Sequence, residues 1–189
     1  MNAVALIPRY VERVKALSVG DPADPATIVG PLINTRGAQR ISKLVKDAAT
    51  KGASLLTGDG AIEGPNGTLI RPVVLTDVTT DMDIFASEIF GPATVIHPVD
   101  STEAAIDLAN DTEYGLTGAV ISRDLNAALD VVSRVRSGII HIPPLGRTVG
   151  ATTASAPPGR LSGLASRCAR RCGRRPGRAG AAARATGCR

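Results

Sequence analysis

The sequence predicts an α/β fold, an open and mostly parallel sheet with flanking helices, followed by a disordered basic tail. Strand and helix patterns alternate between residues 94 and 142, in the order typical of parallel strands joined by crossover helices. A second observation is the apolar repeat of residues 34–51, which has the period of an amphipathic helix. The third is an abrupt change after Ile142, where large apolar residues become rare and acidic residues are absent.

The first half of the chain is expected to contain two helices and several short strands. Residues 8–17 carry one apolar stripe, with Pro8 near the first turn of the helix. Residues 34–51 form a second helix, which Asn34 or Thr35 caps and Gly52 ends. Residues 54–57 are predicted as a strand, residues 58–67 as a glycine-rich surface loop, and residues 71–75 as another extended segment. The buried face of the second helix is expected to consist of Ile41, Leu44, Val45 and Ala48.

The second half is expected to alternate strictly. Residues 94–99 form a mostly apolar strand, and a helix capped by Asp100 or Ser101 follows it to Asn110. A strand over residues 117–122, a helix over residues 124–137 and a strand over residues 138–142 complete the pattern. A helical connection returns the chain to the end of the sheet at which the preceding strand began. These strands are therefore expected to run parallel.

Charge divides the chain at the same point as composition. Residues 1–142 contain all 17 acidic residues and have a net charge of −5, whereas residues 143–189 contain ten arginines and have a net charge of +10. A segment so poor in large apolar residues cannot bury enough surface to offset its ordering entropy. We therefore predict an ordered domain at residues 1–142 and a disordered Arg/Ala/Gly/Pro-rich tail at residues 143–189, whose bias also fits an out-of-frame reading of a GC-rich gene.

All three cysteines, Cys168, Cys172 and Cys188, lie in this tail. An odd number without a signal peptide does not indicate a disulfide framework. The spacing of Cys168 and Cys172 lacks a second ligand pair and a nearby histidine, which argues against a zinc site. No run of 18 apolar residues occurs that would span a membrane. We therefore expect a cytoplasmic protein with neither a metal site nor a membrane segment.

The most informative stretch is the run Glu88-Ile89-Phe90-Gly91-Pro92, which lies between an acidic segment and an apolar strand. Residues i and i+2 of an extended segment point to the same face, so the Glu88 carboxylate and the Phe90 ring are expected to share one surface. Such a pair suits a ligand with several hydroxyl groups and a flat heteroaromatic ring. Gly91-Pro92 then marks the turn before the strand begins.

This run is one of several landmarks whose order and spacing resemble the C-terminal part of the catalytic domain of aldehyde dehydrogenases, over about residues 8–142. His141-Ile142 after Ser137-Gly138 is similar to the branch that acts on aromatic aldehydes such as benzaldehyde or vanillin. The other landmarks are Val19-Gly20-Asp21-Pro22, Gly30-Pro31-Leu32-Ile33-Asn34, Lys51-Gly52-Ala53, Arg71-Pro72-Val73-Val74-Leu75 and Ala109-Asn110-Asp111-Thr112-Glu113-Tyr114-Gly115-Leu116.

The resemblance implies an enzyme that oxidises aldehydes to carboxylic acids with NAD or NADP. In such enzymes a cysteine thiolate attacks the aldehyde and a glutamate activates water. By the same resemblance, Glu88 accepts hydrogen bonds from the hydroxyls of the nicotinamide ribose, and Phe90 packs near the nicotinamide ring. No residue of this sequence matches the family's cysteine, general base or dinucleotide-binding glycines, so no catalytic residue is assigned.

The chain is therefore expected to be a fragment, inactive alone, with residues 1–142 as a partial aldehyde dehydrogenase catalytic domain. A small-molecule aldehyde is the partner that the resemblance implies for the intact family. After Ile142 the family's usual pattern breaks down, because Pro143-Pro144 stand there. The strand that joins subunits in the family is therefore also expected to be missing.

Other polar residues are expected to be structural. His97 and His141 have no partner carboxylate or cysteine in the ordered region, so both are interpreted as solvated or packed against a strand. Asp81, Asp83 and Glu88 resemble a set of paired carboxylates, but a solvated acidic loop is the simpler interpretation.

Two further hypotheses stay open. The ten arginines make the tail a candidate for binding nucleic acid or an anionic surface. The tail has no Phe, Tyr or Trp on which bases stack, which argues against a nucleic-acid partner. Alternatively, the chain completes a split enzyme by pairing with a separately encoded front half.

Overall fold

The computed structural model describes residues 3–143 and the backbone of residues 152–155. The chain divides after Ser101 into two compact units, and each is described by itself. Both units contain helices and short strands, so the predicted α/β class is confirmed. Among the described residues, no helix combines the length and the apolar character that crossing a membrane requires.

The first unit contains three helices and five strands. They are α1 (Ala3–Lys15), α2 (Thr35–Thr50), β1 (Ser54–Thr57), β2 (Ile62–Glu63), β3 (Leu69–Ile70), β4 (Val73–Thr76), α3 (Asp83–Ala86) and β5 (Ala93–Val95). Strand β4 lies at the centre of a three-stranded sheet, antiparallel to β1 and parallel to β5. Strands β2 and β3 form a separate antiparallel hairpin.

The core of this unit lies between α2 and the central strand. All four residues of β4 are buried, as expected for a strand that is covered on both faces. Helix α2 buries the predicted stripe of Ile41, Val45 and Ala48, and the predicted Leu44 packs against the core at its margin. The Asn34 side chain caps the helix, because its Oδ1 accepts a hydrogen bond from the Gly37 N–H at 2.8 Å. Helix α2 is therefore held in place by both its packing against the core and its N-terminal cap.

Several predicted boundaries in this unit are wrong. Helix α1 begins at Ala3, so Pro8 lies inside it rather than in its first turn. The glycine-rich segment 58–67 contains strand β2, which pairs with β3 just after that segment. The strand predicted over residues 94–99 ends at Val95. Its last ladder contact runs from Ile96 N to Leu75 O at 2.9 Å, and Pro98 has no N–H to continue it.

In the described part of the second unit, there are two helices and three strands. They are α4 (Thr102–Asn110), β6 (Thr117–Ala119), α5 (Leu125–Arg134), β7 (Ile139–Ile142) and β8 (Thr152–Ser155). Strands β6 and β7 are parallel and joined by α5, as the predicted crossover requires. Asp124 caps α5 by accepting hydrogen bonds from the N–H groups of Asn126 and Ala127. Both β6 and α5 end about three residues before their predicted limits.

Strand β8 lies within the tail that the sequence predicts to be disordered. Its backbone pairs antiparallel with β7, in a register that sets Ile142 opposite Thr152 and Ile139 opposite Ser155. These four residues therefore form a short strand, and the disorder predicted for the tail as a whole stays a prediction. The rest of the predicted tail, with its three cysteines and all ten of its arginines, lies outside the described residues.

Candidate functional site

The loop from Glu88 to Pro92 connects α3 to β5 and presents an acid and a ring to solvent. Its central residue, Ile89, is half-buried and packs against the hydrophobic core. Glu88 and Phe90 on either side are exposed, and the Phe90 ring is 77% exposed. This alternation is that of an extended segment, in which neighbours of an inward residue face outward. The structure therefore exposes both predicted site residues on one loop.

An arginine from α2 holds the beginning of this loop. The Nη2 atom of Arg40 donates a hydrogen bond to the backbone carbonyl of Glu88 at 2.8 Å. The bond engages the main chain and leaves the carboxylate of Glu88 available. Among the residues that the structure describes, no side chain pairs with that carboxylate. A charged acceptor thus stands on a restrained backbone without an internal partner.

The end of the loop is held by close packing. A Cβ added to Gly91 would lie 2.2 Å from Ile41 Cδ1 and 3.2 Å from Leu32 Cδ2, so the backbone approaches α2 more closely than any side chain permits. The next residue, Pro92, accepts a hydrogen bond from the Val73 N–H at 2.8 Å. The loop is therefore fixed to α2 on one side and to β4 on the other.

No pattern in the sequence indicates Arg40 as part of this site. It precedes Glu88 by 48 residues in the chain and lies on the exposed side of α2, where an arginine normally faces solvent. The packing of Gly91 on Ile41 is also a contact between distant segments. A glycine next to a proline does signal a turn, but it does not show which helix the turn touches.

The two histidines occupy packing positions. The His97 ring meets the Phe85 ring edge to face, with centroids 5.6 Å apart and an angle of 79° between planes. Burial lowers the pKa of His97, because the charged imidazolium is desolvated there. His141 lies half-buried in β7, in register with Ala119 of β6. Within the described residues, neither ring contacts a carboxylate in an ion pair.

The acidic segment before the loop is tied into local structure. The Thr79 hydroxyl donates to Asp81 Oδ1, and this bond is the main cause that lowers the pKa of the Asp81 carboxyl. The Lys51 ammonium donates to the Asp81 carbonyl at 3.3 Å and pairs with Asp47 at 3.1 Å. No cluster of three or more metal-ligating side chains occurs within residues 3–143. Asp81 is thus an exposed residue of a hydrogen-bonded turn, and Asp83 is the exposed first residue of α3.

The chain is similar in sequence to known proteins. Residues 2–152 match the model of the aldehyde dehydrogenase family. The chain is 40% identical over 140 residues to the vanillin dehydrogenase of Pseudomonas sp. (strain HR199), an alignment that covers 74% of this chain and 28% of that protein. It is 41% identical over 136 residues to a succinate-semialdehyde dehydrogenase (NADP+) of Deinococcus radiodurans, which covers 72% of this chain and 28% of that protein.

The fold agrees with the same group of proteins. The aldehyde dehydrogenase of Bacillus cereus in its NAD+ complex superposes with a TM-score of 0.68 at 30% identity, over 72% of this chain and 28% of that structure. This chain thus spans little more than a quarter of the length of the relatives it matches. Agreement over most of its own length, in sequence and in backbone, shows that the chain belongs to the aldehyde dehydrogenase family.

Proposed function

We propose that this chain supplies the nicotinamide-ribose side of the cofactor site of an aldehyde dehydrogenase that uses NAD or NADP. The observation that carries the proposal is the exposed pair of Glu88 and Phe90 on a loop whose backbone is fixed at both ends. The net reaction of the intact enzyme converts an aldehyde, water and NAD(P)+ into a carboxylate, NAD(P)H and two protons.

The chemistry of these two side chains fits a ribose that carries a nicotinamide ring. An ionised carboxylate accepts two O–H groups at once, which matches the neighbouring hydroxyls of a ribose. An exposed aromatic ring two residues away offers an apolar face for a flat heterocycle. When bound, the dinucleotide accepts hydride from the substrate. The residues of this chain would bind and orient that group.

The contacts at the two ends of the Glu88–Pro92 loop hold Glu88 and Phe90 in place before a ligand binds. Arg40 restrains the main chain at Glu88, and Gly91 packs directly against Ile41. A carboxylate on a fixed backbone loses less conformational freedom on binding than one on a mobile loop, so more of its interaction energy appears as affinity. Glu88 and Phe90 are therefore proposed as binding residues, and no residue of the described chain is proposed as the nucleophile.

We infer that the 189 residues alone do not oxidise aldehydes. A thiolate nucleophile requires a cysteine in a held geometry, next to a group that lowers its pKa. The sequence has cysteines only at positions 168, 172 and 188, all outside the described residues and outside the region that resembles the family. The nucleophile would come from a part of the enzyme that these residues do not include. A cytoplasmic location and the absence of the subunit-joining strand also stay predictions.

An aromatic aldehyde is the finer substrate assignment that we propose. The similarity to vanillin dehydrogenase supports it. The equal similarity to a succinate-semialdehyde dehydrogenase means that identity does not separate the two substrate classes. A direct comparison of vanillin, benzaldehyde and succinate semialdehyde as substrates would decide between them.

The decisive experiment places this segment in an active enzyme. The aligned segment of the Pseudomonas vanillin dehydrogenase would be replaced by the matching residues of this chain, and NAD+ reduction would be followed with vanillin. We expect Glu88→Gln to raise the KM for NAD+ by about tenfold, because a charged acceptor of two hydrogen bonds is lost. Glu113→Gln, an exposed acid outside the loop, is the matched control and should leave KM unchanged.

The isolated chain provides the complementary test. Purified protein with benzaldehyde and NAD+ should show no turnover, and the variant with Cys168, Cys172 and Cys188 all changed to Ser should behave identically. Turnover that survives the triple substitution would contradict the thiol chemistry proposed here, because the sequence has no other cysteine. An unchanged KM in the Glu88→Gln chimera would contradict the role of the loop.

A further inference from the structure

A groove of about 430 Å³ lies along α2 on the side that meets β2. None of the residues that line it belongs to the Glu88–Pro92 loop, so the groove is distinct from the site described above. Six lining residues come from α2 and one from β2. They are Gln39, Ser42, Lys43, Lys46, Asp47, Thr50 and Ile62.

The lining carries positive charge that the described chain does not neutralise. Lys43 and Lys46 stand three residues apart, on one side of the helix, and both are exposed. Asp47 follows Lys43 by four residues, but its carboxylate pairs with Lys51 at 3.1 Å instead. Within residues 5–143, neither Lys43 nor Lys46 forms an ion pair. Two ammonium groups therefore border the groove without an anionic partner.

A hydroxyl at the wall of the groove also lacks a protein partner. Ser42 is 5% exposed as a residue and lines the groove, and no hydrogen bond engages its side chain within the described residues. No fully buried side-chain nitrogen or oxygen of the described residues lacks a partner, so the small exposed part of Ser42 includes its hydroxyl, which faces the groove. The nearby Thr50 hydroxyl, by contrast, donates to the Lys46 carbonyl at 2.9 Å. Ser42 therefore has a free donor beside the two free cations.

We propose that this groove binds the phosphate group of a small phosphorylated molecule. The two lysines attract a dianion, and the Ser42 hydroxyl donates to one of its oxygens. Ile62, 38% exposed on the opposite wall, offers apolar contact to the rest of the molecule. The volume of the groove accommodates more than a bare phosphate, and its lining favours an anion over a neutral ligand. The proposal does not depend on the cofactor role of Glu88.

The test uses the full 189-residue chain and inorganic phosphate as the probe. Backbone amide shifts would be recorded by NMR as phosphate replaces chloride at constant ionic strength. We expect saturable shifts confined to residues 39–50 and residues near Ile62. In the double variant Lys43→Gln/Lys46→Gln the dissociation constant should rise by about tenfold, which is the effect of one charge-assisted hydrogen bond.

Matched variants separate a site from general attraction. Arg9→Gln/Arg13→Gln removes the same charge from the exposed surface of α1 and should leave phosphate affinity unchanged. Ser42→Ala should weaken phosphate binding several-fold without unfolding the chain, because alanine suits a helix interior. Shifts that are linear in concentration, that occur only in the arginines beyond residue 143, or that persist in the lysine double variant would overturn the proposal.

Acetate at the same ionic strength tests the ligand class, and saturation by acetate equal to that by phosphate would overturn the assignment to phosphate.

Discussion

Gly91 and Ile41 are in such close contact that a methyl group on the glycine would lie 2.2 Å from the Ile41 Cδ1 atom. Ile41 is 1% exposed and packed within the core, so its side chain has little room to move aside. The contact joins the end of the Glu88–Pro92 loop to the middle of α2. The position of the exposed acid and ring thus depends on a glycine that faces a buried isoleucine.

Gly91→Ala should destabilise the first unit by about 1–3 kcal/mol, the usual cost of overpacking a core. Urea denaturation would measure the loss. Gly37→Ala is the control, since a Cβ there would meet Asn34 Oδ1 at an ordinary 3.5 Å. Because alanine favours a helix over glycine, the control should gain roughly 0.5 kcal/mol.

A second substitution tests whether Ile41 is the cause. Ile41→Val removes the Cδ1 atom that the new methyl group would meet. The double variant Gly91→Ala/Ile41→Val should therefore be more stable than the sum of the two single losses predicts, by about 1 kcal/mol. Additive losses would show that the contact with Ile41 Cδ1 is not the cause of the destabilisation by Gly91→Ala.

Asn110 joins the end of α4 to the end of α5 through both the nitrogen and the oxygen of its side-chain amide. Its Nδ2 donates to the Arg134 carbonyl at 3.0 Å, and its Oδ1 accepts from the Arg136 N–H at 2.7 Å. Asn110→Ala should cost about 1–2 kcal/mol, since both bonds are lost and two backbone groups at a helix end lose their partner. Thermal unfolding would measure it. Asn126→Ala, at an exposed position of α5, should change stability by less than about 0.5 kcal/mol.

Glu103 and Arg134 connect the same two helices by an ion pair at the surface. The bond from Arg134 lowers the pKa of the Glu103 carboxyl, so the folded state holds its proton less tightly than the unfolded state does. The pair therefore contributes stability above the unfolded pKa, about 4.3, and that contribution is lost as pH falls through the lower folded pKa.

Glu103→Gln should accordingly lower stability at neutral pH and flatten the acid limb of the stability profile. The difference from the unchanged protein should vanish at the acid end, where both states are protonated. It should also shrink in 1 M NaCl, because exposed charges are screened. Glu113→Gln, an exposed acid without an ion pair in the described residues, should leave the profile unaltered. Equal acid limbs for Glu103→Gln and the unchanged protein would show that the pair is not formed in solution.

Local signals in the sequence predicted the parts of the fold that local physics determines. Helix α2 follows from an apolar period of 3.6, with Asn34 where a cap is preferred and Gly52 at a φ of 105° after its end. The hairpin of β2 and β3 was not predicted, because two-residue strands among glycines lack an apolar pattern. Helix α1 was predicted to begin near Pro8, since proline favours a first turn, but the helix continues through it.

The candidate site likewise contains some residues that local sequence patterns indicate and others that only tertiary contacts reveal. Glu88 and Phe90 stand in a recognisable run, and their alternation with Ile89 predicts a shared outward face. Arg40 and the contact of Gly91 with Ile41 join segments about 50 residues apart, so no local pattern indicates them. The unpaired Ser42 was equally hidden, because a serine inside an amphipathic helix normally faces solvent or bonds its own backbone. Tertiary contacts, which the sequence does not display, determine which polar groups stay free.

Stability and function should separate at the two neighbouring positions 89 and 90. Phe90 is 77% exposed, so Phe90→Ala should leave the free energy of unfolding within about 0.5 kcal/mol. Ile89 packs against the core, and Ile89→Ala should destabilise the first unit by about 2 kcal/mol. In the vanillin dehydrogenase chimera, Phe90→Ala should still lower kcat/KM with NAD+, if the ring packs against the bound cofactor as we propose. A loss of stability equal to that of Ile89→Ala would instead make Phe90 a core residue, and full activity would remove it from the site.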